Sequence, residues 1–127
     1  MDPVRIALVG DETDTARALT ETARAEPTLA VEQTVSTVAV TDERADFDAA
    51  QCVVVADDAI EAPLQNLYEQ LRIVYAGYPT VIVSSQVSRP FIDHLLADSA
   101  AEFVYAPDDD LPARLLAARC RSLLAGQ

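Results

Sequence analysis

The sequence predicts an α/β domain: a doubly wound, five-stranded parallel sheet in the order 2-1-3-4-5, with helices on both faces. Three observations predict it. Short apolar runs, at most about six residues long, recur along the chain, and each is followed by a stretch with helical spacing. Helix-capping residues or prolines stand between most of these pairs, so strand and helix alternate five times. No repeat, low-complexity block or linker interrupts the 127 residues, so 1–127 is expected to be a single domain.

Taken in order, Val4 to Val9 reads as a first, buried strand. Gly10-Asp11-Glu12-Thr13 follows, with Asp11 or Thr13 available to cap a helix reaching about Ala25. Leu29 to Val35 is a second strand, whose polar Glu32, Gln33 and Thr34 suit a sheet edge. Ser36 to Asp48 is weakly patterned, and a short or irregular helix is expected there. Gln51 to Ala56 is the third strand, and Asp57 to Pro63 a loop. Leu64, Leu67, Tyr68, Leu71 and Tyr75 keep helical spacing until Gly77-Tyr78-Pro79 stops the helix. Thr80 to Val83 is the fourth strand. Ser88 caps the next helix, with Pro90 in its first turn and Phe91, Ile92, Leu95 and Leu96 on its inner side. Glu102 to Tyr105 is the fifth strand; Asp109 or Asp110 then caps a last helix, with Pro112 in its first turn, ending near Leu124. Right-handed crossovers wind these five pairs into the stated order.

In such a sheet, sites form at the carboxyl ends of the strands. Gly10 to Thr13, Ala56 to Asp58, Ser84-Ser85 and Ala106-Pro107 converge there. RIALVGDETDTARAL resembles the first strand and acidic loop of the receiver domains of two-component response regulators, where two acids bind magnesium. QCVVVADDA resembles their third strand, which ends in the phosphorylated aspartate; TVIVSS resembles the fourth, which ends in Thr or Ser; AEFVYAP resembles the fifth, normally aromatic–x–x–Lys–Pro. The resemblance spans the chain and implies a flavodoxin-like fold. It rests on order and spacing, because the motifs are partly erased.

Carried across position by position, Gly10 takes the place of the first acid, Asp11 matches the second, and Glu12 follows. Ala56 falls at the acceptor aspartate, Ser84 at the switch hydroxyl, Phe103 at the switch aromatic, and Ala106, before Pro107, at the lysine. The chain contains no lysine at all: its nine basic residues are all arginine. An acyl phosphate needs a carboxylate nucleophile, which a methyl group cannot supply. Magnesium needs clustered oxygen ligands, and the lysine ammonium clamps the phosphoryl oxygens as a point charge. Losing one such group costs a few kcal/mol of transition-state stabilisation, roughly 10²–10³ in rate. The resemblance therefore implies a pseudo-receiver: a non-catalytic, phosphorylation-independent signalling, protein-interaction or dimerisation module without a metal or cofactor. The alternative slips the third strand by one residue, so that Asp57 accepts the phosphoryl group and Asp11, Glu12 and Asp57 hold Mg²⁺. A third class, a small enzyme or ligand-binding domain, requires a pocket of roughly 300 Å³ or more.

Composition narrows the partners. Twenty-one Asp and Glu against nine arginines leave a net charge of −12, which opposes direct contact with nucleic acid or anionic membranes. Abundant Asp and Thr with no lysine or tryptophan read as a salt-in halophile's composition, whose self-repulsion high salt screens. No apolar run is long enough to span a bilayer, and MDPVRIALVG does not resemble a signal peptide. Cys52 and Cys120 are isolated in apolar contexts, which suggests buried thiols in a reducing, cytoplasmic compartment and neither a disulfide framework nor a zinc site. His94 has no second histidine or cysteine to share a metal, and Ser84-Ser85 have no adjacent base for nucleophilic catalysis. Neither nucleotide-binding glycine motif occurs. The contact surface implied by the resemblance is helix 4, strand 5 and helix 5. Phe91, Leu95, Phe103 and Tyr105 would supply its apolar anchors, and Arg114 and Arg121 would meet acids of a partner protein or of a second copy in a homodimer.

Overall fold

The computed structural model describes residues 2–61, 63–75, 77–86, 88–106 and 111–126, and omits the side chain of Asp58. Its strands are β1 (Val4–Val9), β2 (Leu29–Val35), β3 (Cys52–Ala56), β4 (Thr80–Ser84) and β5 (Ala101–Tyr105). All neighbours pair in parallel, in the order β2-β1-β3-β4-β5. The helices are α1 (Asp14–Ala25), α2 (Thr37–Thr41), α3 (Leu64–Val74), α4 (Arg89–Leu96) and α5 (Ala113–Ala125). The flavodoxin-like doubly wound architecture expected from the alternating pattern is the one formed.

Side-chain alternation along the strands builds two apolar layers. Ile6, Leu8, Cys52, Val54, Val83 and Val104 pack beneath α1 and α5, with Leu19, Ala23, Leu116 and Cys120. Ala7, Val9, Val53, Val55 and Ile82 face α2, α3 and α4, with Val40, Leu67, Leu71 and Leu95. Residues of β1, β3 and β4 serve both layers, which is why their sequences read as continuous apolar runs. β2 is an edge, and its register passes over Glu32 between Ile6↔Val31 and Ala7↔Gln33. That bulge and the exposed charge blunt an otherwise pairable edge.

Helix starts follow local chemistry only in part. Thr13, rather than Asp11, caps α1: its Oγ1 accepts from Ala16 N at 3.0 Å. Ser36 does the same for α2 through Ala39 N at 3.2 Å. Ser88 stands at the start of α4, but its side chain makes no capping hydrogen bond; the helix opens on its own backbone bond from Ile92 N to Ser88 O, at 2.9 Å. Pro112 stands at the N-cap of α5, just outside the expected first turn, and the expected caps Asp109 and Asp110 lie outside the described residues. Gly77 takes a φ of +84° after α3, a conformation that costs glycine little.

One polar cluster locks α3 to the turn before β5. Arg72 Nε stands 2.6 Å from Asp98 Oδ2, and its other nitrogens donate to the carbonyls of Tyr78 and Ala100. The Tyr68 hydroxyl donates to the same carboxylate, and Arg72 lies over the Tyr68 ring. Burial raises the Tyr68 hydroxyl pKa, reinforced by the Asp98 carboxylate it bonds. For Asp98 burial acts upward, but the bonds from Tyr68 and Ala100 N and the Arg72 charge prevail and hold it below the ordinary carboxylate value.

Candidate functional site

The site lies where β1, β3 and β4 end together. Val9 pairs with Val55, Ala56 with Val83 and Ser84 with Tyr105. Because Ala56 is level with Val83, the residue after it comes level with Ser84. Asp57 opens a single 3₁₀ turn, Asp57–Ala59, and its Oδ2 lies 2.9 Å from Ser84 Oγ. The buried Ser84 hydroxyl shares its one proton between Asp57 and the Gln86 carbonyl, 3.0 Å away, and accepts from Gln86 N. Ala56, matched by resemblance to the acceptor position, packs its methyl group into the α1/α5 layer. The strand-end acid facing Ser84 is therefore Asp57.

Asp11 serves the local structure. Its Oδ1 accepts from Thr37 N and Thr37 Oγ1, both at 3.0 Å, and its Oδ2 accepts from Glu61 N at 2.8 Å. Its own N donates to Ala59 O at 2.8 Å. One side chain thus ties the end of β1 to the start of α2 and to the loop after β3. Burial acts to raise the Asp11 carboxyl, but the bonds from Thr37 N, Glu61 N and the Thr37 hydroxyl together hold it below its ordinary value. Nothing in the motif resemblance marked Thr37 and Glu61 as its partners, since both act largely through backbone N–H groups.

Glu12 is exposed. Among the described residues no three His, Cys, Asp or Glu side chains gather as a metal-binding group, so Asp11, Glu12 and Asp57 are not brought together as one. Gly10 donates its N–H to Val35 O at 2.9 Å. A Cβ there would meet Ala16 Cβ at 3.4 Å and Ala59 Cβ at 3.5 Å, close to contact distance, so a side chain fits at Gly10 with little adjustment. Ala106 donates its N–H to Ser84 O at 3.0 Å and turns its methyl group into the α1/α5 layer; Pro107 lies outside the described residues. Beside these residues runs a cleft of about 540 Å³ along α1, lined by Gly10, Asp11, Glu12, Ala56, Arg17 and Arg24 among others. It exceeds the volume set for a ligand-binding domain, but Arg17 pairs with Asp14 at 3.4 Å and Asp11 is saturated.

The proposed contact residues separate. Phe91 and Leu95 are buried, so they belong to the core and cannot anchor a partner. They sit at i and i+4 on the inner stripe of α4, against α3. Leu96, expected inside, is 72% exposed. Phe103 is half-buried against the α2–α4 layer, while Tyr105 (52%) and Leu115 (43%) are open to solvent. Arg114 is exposed on the first turn of α5. Arg121, one side of the expected arginine row, instead lines a cleft with Val4, Ala30, Gln51 and Leu124 at the opposite pole of the sheet. His94 is exposed, its ring edge-on to Tyr68, in keeping with a solvated helix flank.

No helix among the described residues is long and apolar enough to cross a membrane. No family model and no curated protein matches the chain. Solved structures do. The chain is similar to the non-phosphorylated HemR receiver domain of Leptospira biflexa, with a TM-score of 0.68 and 18% identity, over 96% of this chain and 94% of that one. It is also similar to a pilus assembly-related protein of Burkholderia pseudomallei, with a TM-score of 0.62 and 18% identity, over 97% of this chain and 90% of that one. At such identities the likeness is one of fold: the chain has the receiver-domain fold.

Proposed function

We propose that the protein is a pseudo-receiver, a signalling module that acts by binding and without phosphorylation or a cofactor. The observation that carries this reading is the commitment of Asp11. The acid matching a magnesium ligand has both oxygens bonded to Thr37 and Glu61, and among the described residues no three metal-ligating side chains gather around it. Magnesium would have to break those bonds and then bind with one protein carboxylate. Ala106, matched by resemblance to the clamping lysine, carries only a methyl group packed in the core, and the chain has no lysine. The fold thus supplies a rigid scaffold, and its exposed Leu96, Tyr105, Leu115 and Arg114 supply contacts for a protein partner or a second copy.

A second reading is favoured by one contact. Asp57, just after β3, accepts a hydrogen bond from Ser84, which supports the alternative in which it is the phosphoryl acceptor. A magnesium titration followed by backbone amide shifts of Asp11, Glu12 and Asp57 separates the two. The pseudo-receiver gives no saturating shift up to about 10 mM, far above the range of a functional cation site. Saturation below that concentration, abolished in Asp57→Asn, supports the phosphoryl-accepting reading instead.

A further inference from the structure

The segment between α2 and β3, residues 42–51, contains no helix or strand, yet it is packed onto the α2–α4 layer through one side chain. Phe47 is 1% exposed, with its ring edge-on to Tyr75 at 4.9 Å and to Tyr78 at 5.8 Å between centroids. Few bonds fasten the rest. Gln33 Nε2, on β2, donates to Asp46 O at 2.6 Å, and the Tyr78 hydroxyl donates to Asp48 Oδ1 at 3.1 Å. Ala50 N donates to Phe47 O at 2.9 Å. Three features oppose this closed arrangement. Glu43 has a φ of +60°, the only positive value at a non-glycine residue among those described, which strains a residue bearing a side chain. The Tyr75 hydroxyl is buried and has no hydrogen-bond partner among the described residues. Asp42, Glu43, Asp46 and Asp48 are all exposed along the outer side, and only Arg44, 3.5 Å from Asp42, offsets them.

We propose that residues 42–51 form a salt-gated strap: closed over Tyr75 and Tyr78 at high ionic strength, and lifted from them on dilution while the sheet stays folded. Burial of the Phe47 ring favours closure. Repulsion among the strap's carboxylates, in a chain of net charge −12, favours opening and is the part that salt controls. The Debye length is about 3 Å at 1 M and about 30 Å at 0.01 M, so only the dilute medium lets these charges act on one another along the strap. Opening relaxes Glu43 and gives the Tyr75 hydroxyl access to water, so the closed state has little in reserve against that repulsion. The device goes beyond the pseudo-receiver reading and does not depend on whether Asp57 accepts a phosphoryl group. Its consequence is that an aromatic surface, Tyr75 and Tyr78, is presented or hidden according to ionic strength.

Amide hydrogen exchange of the full chain, followed residue by residue in dilute and in molar KCl, tests this. The Ala50 N–H reports the strap, and the amides of Ala7 and Ile82, in the central strands, report opening of the whole fold. On dilution, exchange at Ala50 should accelerate about tenfold more than at Ala7 and Ile82. The triple variant Glu43→Gln/Asp46→Asn/Asp48→Asn removes three charges but keeps the acceptor oxygens used by Tyr78 and by Asp48 N. It should lose the extra acceleration, and the wild-type ratio decides alone if that variant fails to fold. Tyr75→Phe deletes the unpartnered hydroxyl and should slow exchange at Ala50 about tenfold at either salt concentration. Exchange at Ala50 that tracks Ala7 and Ile82 throughout, a salt response that persists in the triple variant, or faster opening in Tyr75→Phe would overturn the proposal.

Discussion

Both oxygens of Asp11 are occupied by donors from two other segments, and its energetics follow from that. Asp11→Ala leaves the Glu61 and Thr37 N–H groups without their acceptor, Thr37 being buried, and should cost about 2–3 kcal/mol in urea unfolding. Asp11→Asn keeps one acceptor oxygen and should cost about half of that. The carboxyl is held below its ordinary value of 3.8, as is that of Asp98, so each favours the folded state while ionised. Their contribution is complete above that ordinary value and is lost as pH falls through the lower folded values. In molar KCl, where general repulsion is screened, the urea midpoint should fall as pH drops below about 4, and the fall should be shallower in Asp11→Asn. An unchanged slope would show that the Asp11 bonds do not persist in solution.

At the scale of elements, apolar runs and helical spacing made the strands and the long helices legible. Val4–Val9 and Leu29–Val35 match the expected bounds, and Tyr68 and Leu71 are buried as their spacing implied. Lateral relations were not legible. Periodicity assigns a residue to a face of its own element, but not to a neighbour in another. Hence both Ala56 and Asp57 remained candidates for the end of β3, and the contact of Asp57 with Ser84 was invisible. Likewise, the inner stripe of α4 ends at Leu95, one residue earlier than expected, which puts Leu96 outside. Among the described residues, α4, β5 and α5 expose Leu96, Tyr105, Leu115 and Arg114, which the proposed contact would use. If a second copy binds there, sedimentation in molar KCl should show a dimer at high concentration. Tyr105→Ser combined with Arg114→Glu should then weaken it by about 30-fold or more, the size of one lost anchor. A wild type that stays monomeric at every concentration removes the homodimer.

For the molecule as a whole, charge and chemistry make separate predictions. With a net charge of −12, dilute buffer leaves like charges interacting over a Debye length of about 30 Å. The thermal midpoint should rise from dilute buffer to molar KCl; a flat midpoint would assign the acidity to a basic partner instead of to saline surroundings. The pseudo-receiver reading rests on the strand ends: a carboxylate meets Ser84 there, the chain has no lysine, and no three metal-ligating side chains gather among the described residues. Labelling with acetyl phosphate and magnesium, read by intact mass, tests it directly. No phosphoryl adduct is expected on the wild type. A hydroxylamine-sensitive adduct that disappears in Asp57→Asn would contradict it.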